Sequence, residues 1–320
     1  MLRSLMIYLS KAGWAQHIVT RWSFAWRAAS RFVAGETLED AIRTVKVMNA
    51  KGIGVTLDHL GEHTTTADEA RQATQDILLL LDAIDRSGVC SNVSIKLTQI
   101  GLAVDADLCE ANLKRILTTA QERKNFVRID MEDFPWVDIT LDLYRRMRDE
   151  YGLSNTGVVI QSYLYRSEED IRRLSAEGDR VRLCKGAYKE PPEVAFPEKK
   201  DVDANYDHLA EMLIDGALAL NSPTLGPDGR IPPIPAIASH DQQRLEHAKD
   251  YARGAGLPKK ALEFQMLYGI RRDLQEQMVA EGYPVRVYVP YGTHWYPYYM
   301  RRLAERPANV WFFITNFFRK

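Results

Sequence analysis

Short aliphatic runs alternate with amphipathic stretches along most of the chain. The first pair is an aliphatic run at residues 53–57, followed by a stretch at 67–86 whose apolar positions recur every three or four residues. A short apolar run bounded by polar residues indicates a strand, and a repeat near 3.6 residues indicates a helix. The pattern therefore predicts a strand and then a helix.

The same alternation continues to the end of the chain and predicts eight strand–helix units. The strands are expected at 53–57, 92–97, 126–131, 156–161, 181–185, 234–238, 262–267 and 285–289. The helices are expected at 67–86, 105–123, 137–150, 167–177, 204–220, 241–253, 271–281 and 296–306. Such alternation predicts parallel strands joined by crossover helices, and eight units favour a closed (β/α)8 TIM-type barrel over an open sheet.

The two ends of the chain differ from its middle. Five basic residues and three of the six tryptophans precede Glu36, the first acidic residue. A segment of this kind is typical of a transit peptide, of a basic helix on a membrane surface, or of a helical arm packed on the main domain. We expect an N-terminal helical arm over 1–50, a barrel over 51–310 and an aromatic tail over 311–320, which packs on the barrel or meets an apolar surface outside it.

Composition narrows the class of protein. The 320 residues carry 42 Lys and Arg against 43 Asp and Glu, a balance that argues against a nucleic-acid partner. The three cysteines are too few and too scattered for a disulfide framework. The longest apolar run near the middle, 77–81, is too short to span a bilayer. We expect a cytoplasmic protein, and the aromatic ends allow peripheral contact with the inner face of the cell membrane.

Polar or charged residues stand near the carboxyl end of every predicted strand. One such residue alone could be a cap or a rim salt bridge, whereas eight coincident positions indicate the functional rim of a barrel. A second feature is Arg301-Arg302, early in the last predicted helix. Two adjacent guanidinium groups favour a carboxylate or a phosphate, since each can bind it through two hydrogen bonds.

Two motifs point to chemistry that we do not expect. Residues 59–63 match the HxxEH pattern of inverted zinc peptidases, but Gly61 interrupts the helix that this site needs. We therefore expect no metal. The glycine-rich signatures of a Rossmann site and of a P-loop do not occur in the sequence.

Seven longer strings carry a family resemblance. They are VRIDMED (127–133), QSYLYR (161–166), VRLCKGAYKEPPEVAF (181–196), SHD (239–241), FQMLYG (264–269), VYVPYGTHW (287–295) and YYMRRLAERPANV (298–310). Over residues 50 to 310 the chain resembles the proline dehydrogenase family, in its monofunctional bacterial type. The resemblance implies a (β/α)8 barrel with noncovalent FAD that oxidises L-proline to 1-pyrroline-5-carboxylate, the first step of proline catabolism to glutamate. It also implies a membrane quinone as electron acceptor and functional coupling to a separate pyrroline-5-carboxylate dehydrogenase.

The resemblance implies roles for individual substrate-binding residues. Arg301 and Arg302 match the pair that holds the proline carboxylate, and Lys96 matches a lysine that assists them. Glu62 matches the acid that forms an ion pair with Arg301. The residues that match the walls around the proline ring are Tyr188, Leu267, Tyr288 and Tyr298.

The catalytic and cofactor residues follow from the same resemblance. Asp130 and Arg182 match the polar active-site pair, with Arg182 near flavin N5. The positions that match FAD-binding residues are Met131, Gln161, Lys185, Gly186, Ala187, Ser239 and His240. The family's usual Thr-His is Ser239-His240 here, and serine keeps the hydroxyl group. No side chain is an obvious base for the substrate amine; water and a tyrosine are the two candidates, and the sequence does not decide between them.

Two other functions fit parts of the pattern. A barrel lyase or aldolase would use Lys96 or Lys185 as a Schiff-base nucleophile. A non-enzymatic membrane-associated scaffold would use the aromatic tail. The visible spectrum of the purified protein separates these alternatives from a flavoprotein, because neither predicts a yellow chromophore.

Overall fold

Eight parallel strands close into a barrel in the order in which they occur along the chain. The computed structural model describes residues 23–61 and 64–305. The strands are β1 (Gly54–His59), β2 (Ser91–Ile95), β3 (Val127–Ile129), β4 (Thr156–Gln161), β5 (Val181–Cys184), β6 (Pro235–Ala238), β7 (Glu263–Leu267) and β8 (Val285–Tyr291). Pairing of β8 with β1 completes the barrel, so the predicted (β/α)8 fold is confirmed.

The described residues also form ten α-helices and two 3₁₀ turns. The helices are α1 (Ser23–Ala29), α2 (Leu38–Asn49), α3 (Ala67–Ser87), α4 (Ala106–Glu122), α5 (Val137–Asp149), α6 (Ser167–Glu177), α7 (Lys199–Ala219), α8 (Gln242–Ala255), α9 (Arg272–Ala280) and α10 (Trp295–Glu305). The 3₁₀ turns are Phe134–Trp136 and Lys259–Ala261. The largest difference from the predicted boundaries is α7, which begins at Lys199 rather than at 204.

Helix α3 shows how local sequence sets an element. Thr66 caps its N-terminus in a capping box with Glu69, and Gly88 ends it in the left-handed conformation. Ile77 and Leu81, on its apolar face, belong to the core that the helices share with the strands. Because the cap and the apolar periodicity agree, the predicted helix and the observed one differ by a single residue.

The two faces of the strands have opposite character. In β1, Val55 and Leu57 pack into the apolar core, whereas the Thr56 hydroxyl donates to Asn92 Oδ1 at 2.6 Å. Successive strand residues point to opposite faces, so the intervening polar residues line the barrel interior. The polar residues on this inner face are Thr56, Asp58, Asn92, Ser94, Lys96, Arg128, Asp130, Arg182, Glu263, Gln265, Arg286 and Tyr288.

Helix α2 joins the same core as the barrel. Thr37 caps it in a capping box with Asp40, and its buried residues are Ala41, Val45 and Met48. These three side chains pack with the strand and helix residues of the main core. Among the residues that the structure describes, no helix is long and apolar enough to cross a membrane.

Gly157 in β4 leaves room for a buried arginine. Its Cα is paired with that of Arg128 on β3, whose Nη1 donates to the carbonyl oxygen of Val158 at 3.0 Å and to that of Arg180. A Cβ at position 157 would lie 2.3 Å from the Arg180 oxygen and 2.7 Å from Arg128 Nη1. Glycine at this position is therefore a steric requirement of the interior.

Replacement of Gly157 by alanine should lower the free energy of unfolding by roughly 1–3 kcal/mol, because the added methyl group overpacks the barrel. Urea denaturation measures the change. Gly254→Ala is the matched control, because Gly254 lies exposed in α8 and an added Cβ meets no atom within 4 Å. The control should stabilise the protein by roughly 0.5–1 kcal/mol. Equal effects of the two variants would contradict the steric argument.

Candidate active site

The carboxylate of Asp130 lies where donors from three other strands meet. Arg182 Nη1 on β5 donates to Asp130 Oδ1 at 2.7 Å, and the Ser94 hydroxyl on β2 donates to the same oxygen at 2.8 Å. The Tyr288 hydroxyl on β8 donates to Asp130 Oδ2 at 2.8 Å. Asp130 therefore accepts three hydrogen bonds, and one of them comes from a guanidinium. The predicted pair of Asp130 and Arg182 is thus in direct contact inside the barrel.

Lys96 adds a second cation to this cluster. Its Nζ lies 3.5 Å from Asp58 Oδ2, 3.5 Å from the Tyr288 hydroxyl and 3.8 Å from Asp130 Oδ2. Burial, and next the charge of Asp130, raise the pKa of Tyr288 well above its ordinary value. Tyr288 is therefore a neutral phenol that donates to Asp130, and the Arg182 guanidinium lies 5.5 Å from the centre of its ring.

Several predicted cofactor residues sit at the carboxyl ends of neighbouring strands. Gln161 Nε2 donates to the carbonyl oxygen of Glu132 at 2.9 Å. His240 Nε2 accepts from the backbone N–H of Leu267 at 2.9 Å, which places the proton of a neutral imidazole on Nδ1. Met131 is buried, and Ser239 accepts from the backbone N–H of Asp241 at 3.1 Å. Both polar side chains at 239 and 240 are thus oriented by local hydrogen bonds.

The segment after β5 combines a fixed cation with a glycine that packs against an aromatic ring. Lys185 Nζ contacts Asp203 and, at 2.8 Å, Asp241 Oδ2, so two carboxylates hold it in place. Gly186 has φ of 110°, and a Cβ there would lie 2.5 Å from the ring of Tyr163. Only glycine suits that conformation and that spacing. Beyond it, the side chains of Ala187 and Tyr188 are exposed.

The predicted arginine pair lies on α10, which follows β8. Arg301 and Arg302 are half-buried, and the Arg302 guanidinium lies 5.1 Å from the centre of the buried Tyr298 ring. Glu62, which the resemblance pairs with Arg301, lies outside the described residues. Its role stays a prediction.

Helix α10 is held by residues near the start of the described chain. The Trp26 and Trp295 rings lie 5.4 Å apart, and Trp295 Nε1 donates to Glu36 Oε1 at 3.0 Å. The backbone N–H of Gly292 donates to the carbonyl oxygen of Gly35 at 2.9 Å. We call residues 25–36 the brace of α10. Residues 1–22 and the predicted tail over 311–320 lie outside the described residues.

Sequence reasoning assigned no role to several interior residues that support the cluster. They are Ser94, Glu263, Gln265 and Arg286. The signal that could have found them is a polar residue at every second position of otherwise apolar strands. Glu263 and Gln265 in β7 show this pattern.

A closed barrel with a charged cluster at the carboxyl ends of its strands defines the class of (β/α)8 barrel enzymes. A family model described as proline dehydrogenase matches residues 41–314. The chain is 39% identical to proline dehydrogenase 2 of Bacillus subtilis (strain 168) over 319 residues, which are 99% of each chain. It is 41% identical to proline dehydrogenase of Deinococcus radiodurans over 294 residues, covering 91% of this chain and 90% of that one. The chain belongs to the proline dehydrogenase family.

Solved structures show the same fold within longer proteins. Proline utilization A from Bdellovibrio bacteriovorus, inactivated by N-propargylglycine, superposes with a TM-score of 0.79 at 27% identity. The match covers 88% of this chain and 33% of that one, so this chain spans about a third of the longer protein. The bifunctional protein PutA of Escherichia coli (strain K12) is 28% identical over 313 residues, which are 23% of its length.

Replacement of Trp295 by phenylalanine should loosen α10, because it removes the hydrogen bond to Glu36 and part of the contact with Trp26. We expect the free energy of unfolding to fall by roughly 1–3 kcal/mol and amide exchange to quicken across α10. Denaturation and hydrogen-exchange mass spectrometry measure the two effects. The control is Trp136→Phe in the 3₁₀ turn after β3, which should leave exchange in α10 unchanged. Unaltered exchange in the Trp295 variant would show that the brace does not hold the helix.

Proposed function

We propose that the protein oxidises L-proline to 1-pyrroline-5-carboxylate with noncovalent FAD and passes the electrons to a membrane quinone. The single observation that carries the proposal is the contact of Asp130 with Arg182, Tyr288 and Lys96 at the carboxyl ends of the strands. In the proline dehydrogenase family, to which the chain belongs, these positions match the active site.

The residues present fit a flavin nucleotide. The exposed Ala187 leaves little side chain over the backbone after Lys185, and a cationic Arg182 lies beneath the rim. Gln161, Ser239 and His240 add oriented polar groups on neighbouring strands. The residues that would hold FAD are Met131, Gln161, Lys185, Gly186, Ala187, Ser239 and His240. When bound, FAD supplies the hydride acceptor that no side chain can provide.

The side chains of this chain would orient the substrate. Arg301 and Arg302 would bind the proline carboxylate through paired, charge-assisted hydrogen bonds, and Lys96 would add a third cation. The walls around the ring would be Tyr188, Leu267, Tyr288 and Tyr298. With the carboxylate held at one end and the ring held by its walls, the carbon beside the nitrogen has a fixed position. The entropy cost of orienting the substrate for reaction is then met on binding.

Proton transfer is the second task of the site. The substrate amine must lose a proton before hydride leaves, because an ammonium nitrogen has no lone pair. Tyr288 does not supply a basic oxygen, since its raised pKa keeps the phenol protonated and its proton already points to Asp130. Arg182 would stabilise the negative charge that develops on the reduced flavin.

The remaining parts of the proposal rest on the family. Because the quinone lies in the membrane, the reduced flavin would be reoxidised at the inner face of the cell membrane. A cytoplasmic protein would make peripheral contact there. The product would pass to a separate pyrroline-5-carboxylate dehydrogenase. A Schiff-base reaction at Lys96 would need a neutral amine, whereas its Nζ lies 3.5 Å from Asp58 Oδ2 and 3.8 Å from Asp130 Oδ2.

The purified protein should be yellow and should release FAD when acid denatures it, because the proposed rim residues would bind the cofactor without a covalent bond. Visible absorbance and chromatography of the supernatant measure this. A folded protein that stays colourless after incubation with FAD would refute the flavin assignment.

Arg301→Met and Arg302→Met should each raise the KM for proline by roughly tenfold to 150-fold, the range expected for loss of a hydrogen bond between charged groups. Flavin content should be unchanged, because both residues are assigned to the substrate. Steady-state kinetics and the flavin absorbance measure the two effects. Arg253→Met, on the exposed face of α8, is the matched control. Loss of flavin with a normal KM would mean that the pair holds a phosphate group instead.

A further inference from the structure

Arg182 is bonded on its inner side to a chain of three buried side chains. Its Nε donates to Gln265 Oε1 at 2.5 Å, and Gln265 Nε2 donates to Glu263 Oε1 at 2.6 Å. Arg286 Nε donates to the same Glu263 oxygen at 3.0 Å. The four residues are 1–7% exposed. This series of hydrogen bonds therefore runs from the cluster around Asp130 into the buried interior of the barrel.

The charged side chains on either side of Gln265, those of Arg182 and Glu263, decide how its amide is oriented. The guanidinium of Arg182 can only donate, so it requires the amide oxygen. The carboxylate of Glu263 can only accept, so it requires the amide NH₂ group. The reversed amide would place two donors together at one end and two acceptors together at the other. Glu263 thus fixes the amide, and the amide fixes Arg182 Nε.

Arg286, the residue of this series that lies farthest from Arg182, is anchored to the backbone. Arg286 Nη1 donates to the carbonyl oxygen of Val55 at 2.9 Å, and its Nη2 donates to that of Gly229 at 2.7 Å and to Glu263 Oε2 at 3.0 Å. These bonds tie the Arg286–Glu263 ion pair to β1 and to the loop before β6. The pair therefore has little freedom to rotate, and that rigidity passes to Gln265.

We propose that Gln265 and Glu263 are positioning residues that hold the Arg182 guanidinium for the flavin without neutralising it. The proposal rests on the proposed function, which places Arg182 near the flavin. Asp130 already offsets part of the Arg182 charge. A carboxylate at position 265 would offset more of it, whereas an amide orients the guanidinium and adds no net charge. The Glu263–Arg286 ion pair therefore holds Gln265 in place, and Gln265 orients Arg182 without bringing a negative charge to the guanidinium.

Two substitutions at position 265 separate orientation from charge. Gln265→Met removes the acceptor for Arg182 Nε, so kcat should fall by roughly tenfold to 100-fold while the KM for proline changes little. The exchange Gln265→Glu with Glu263→Gln keeps an acceptor for Arg182 and a donor–acceptor pair between 263 and 265, and it moves the carboxylate next to the guanidinium. The midpoint potential of the bound flavin should then become more negative than in the wild type and in the methionine variant. Spectroelectrochemistry on the flavin-loaded protein measures the potential independently of turnover.

The ion pair is tested as a unit, because removal of one partner would leave a buried charge and unfold the protein. The double variant Glu263→Gln with Arg286→Met should lower kcat in the same direction as Gln265→Met. The triple variant, which also carries Gln265→Met, should lose less kcat than the product of the two separate fold-losses, because both changes act through Arg182. The matched control is Lys249→Met with Glu281→Gln, an ion pair of 2.6 Å that lies outside the barrel. It should leave both kcat and the potential unchanged.

The outcomes distinguish a failure of the positioning role from a failure of the proposed function. Flavin-loaded variants that keep the wild-type kcat and potential would overturn the positioning role alone. A wild-type protein that binds no flavin would overturn the proposed function and the positioning role together. Losses of thermal stability without a change in kcat or potential would show that Gln265 and Glu263 are structural only.

Discussion

The largely buried ion pair between Asp130 and Arg182 sets the conditions that the rest of the barrel interior must meet. A charge taken out of water is costly unless it is paired and fully hydrogen-bonded. Ser94 and Tyr288 donate to the carboxylate, and Gln265 and Ser94 accept from the guanidinium. Most TIM barrels fill this space with branched apolar side chains. Here the Asp130–Arg182 ion pair is accommodated by polar residues at the inward positions of neighbouring strands.

The candidate site has two parts that are held by different forces. The cluster around Asp130 is positioned by hydrogen bonds inside the barrel. Helix α10, which carries Arg301 and Arg302, is positioned by aromatic contacts and by the bond from Trp295 to Glu36. Hydrogen bonds between charged and polar groups are directional, whereas the contacts of α10 depend on the packing of aromatic rings. Under the proposed function, the first part would set the electrostatics and α10 would bind the substrate.

The sequence predicted the strands and helices well because each local signal agreed with the global fold. The helix at 167–177 matches α6, and the strand at 156–161 matches β4. The contacts inside the barrel could not be predicted in the same way. Whether Gln265 meets Arg182 depends on the stagger between strands that are not neighbours, which no local pattern encodes. The roles of the site residues came from the family resemblance, and the structure adds which of them are in contact.

The charge inside the barrel gives a physical reason for an anionic ligand at the rim. The inward-facing strand residues that the structure describes include cationic Lys96, Arg128, Arg182 and Arg286 and anionic Asp58, Asp130 and Glu263. Arg128 donates to backbone carbonyls and stacks on Phe126 at 4.8 Å, and its burial lowers its pKa well below the ordinary value. Of these seven groups four are cationic and three are anionic, and burial disfavours the charge of one of the four, Arg128. An anion bound above the cluster would offset such unfavourable positive charge, so a charge that is unfavourable for folding is one that binding would use.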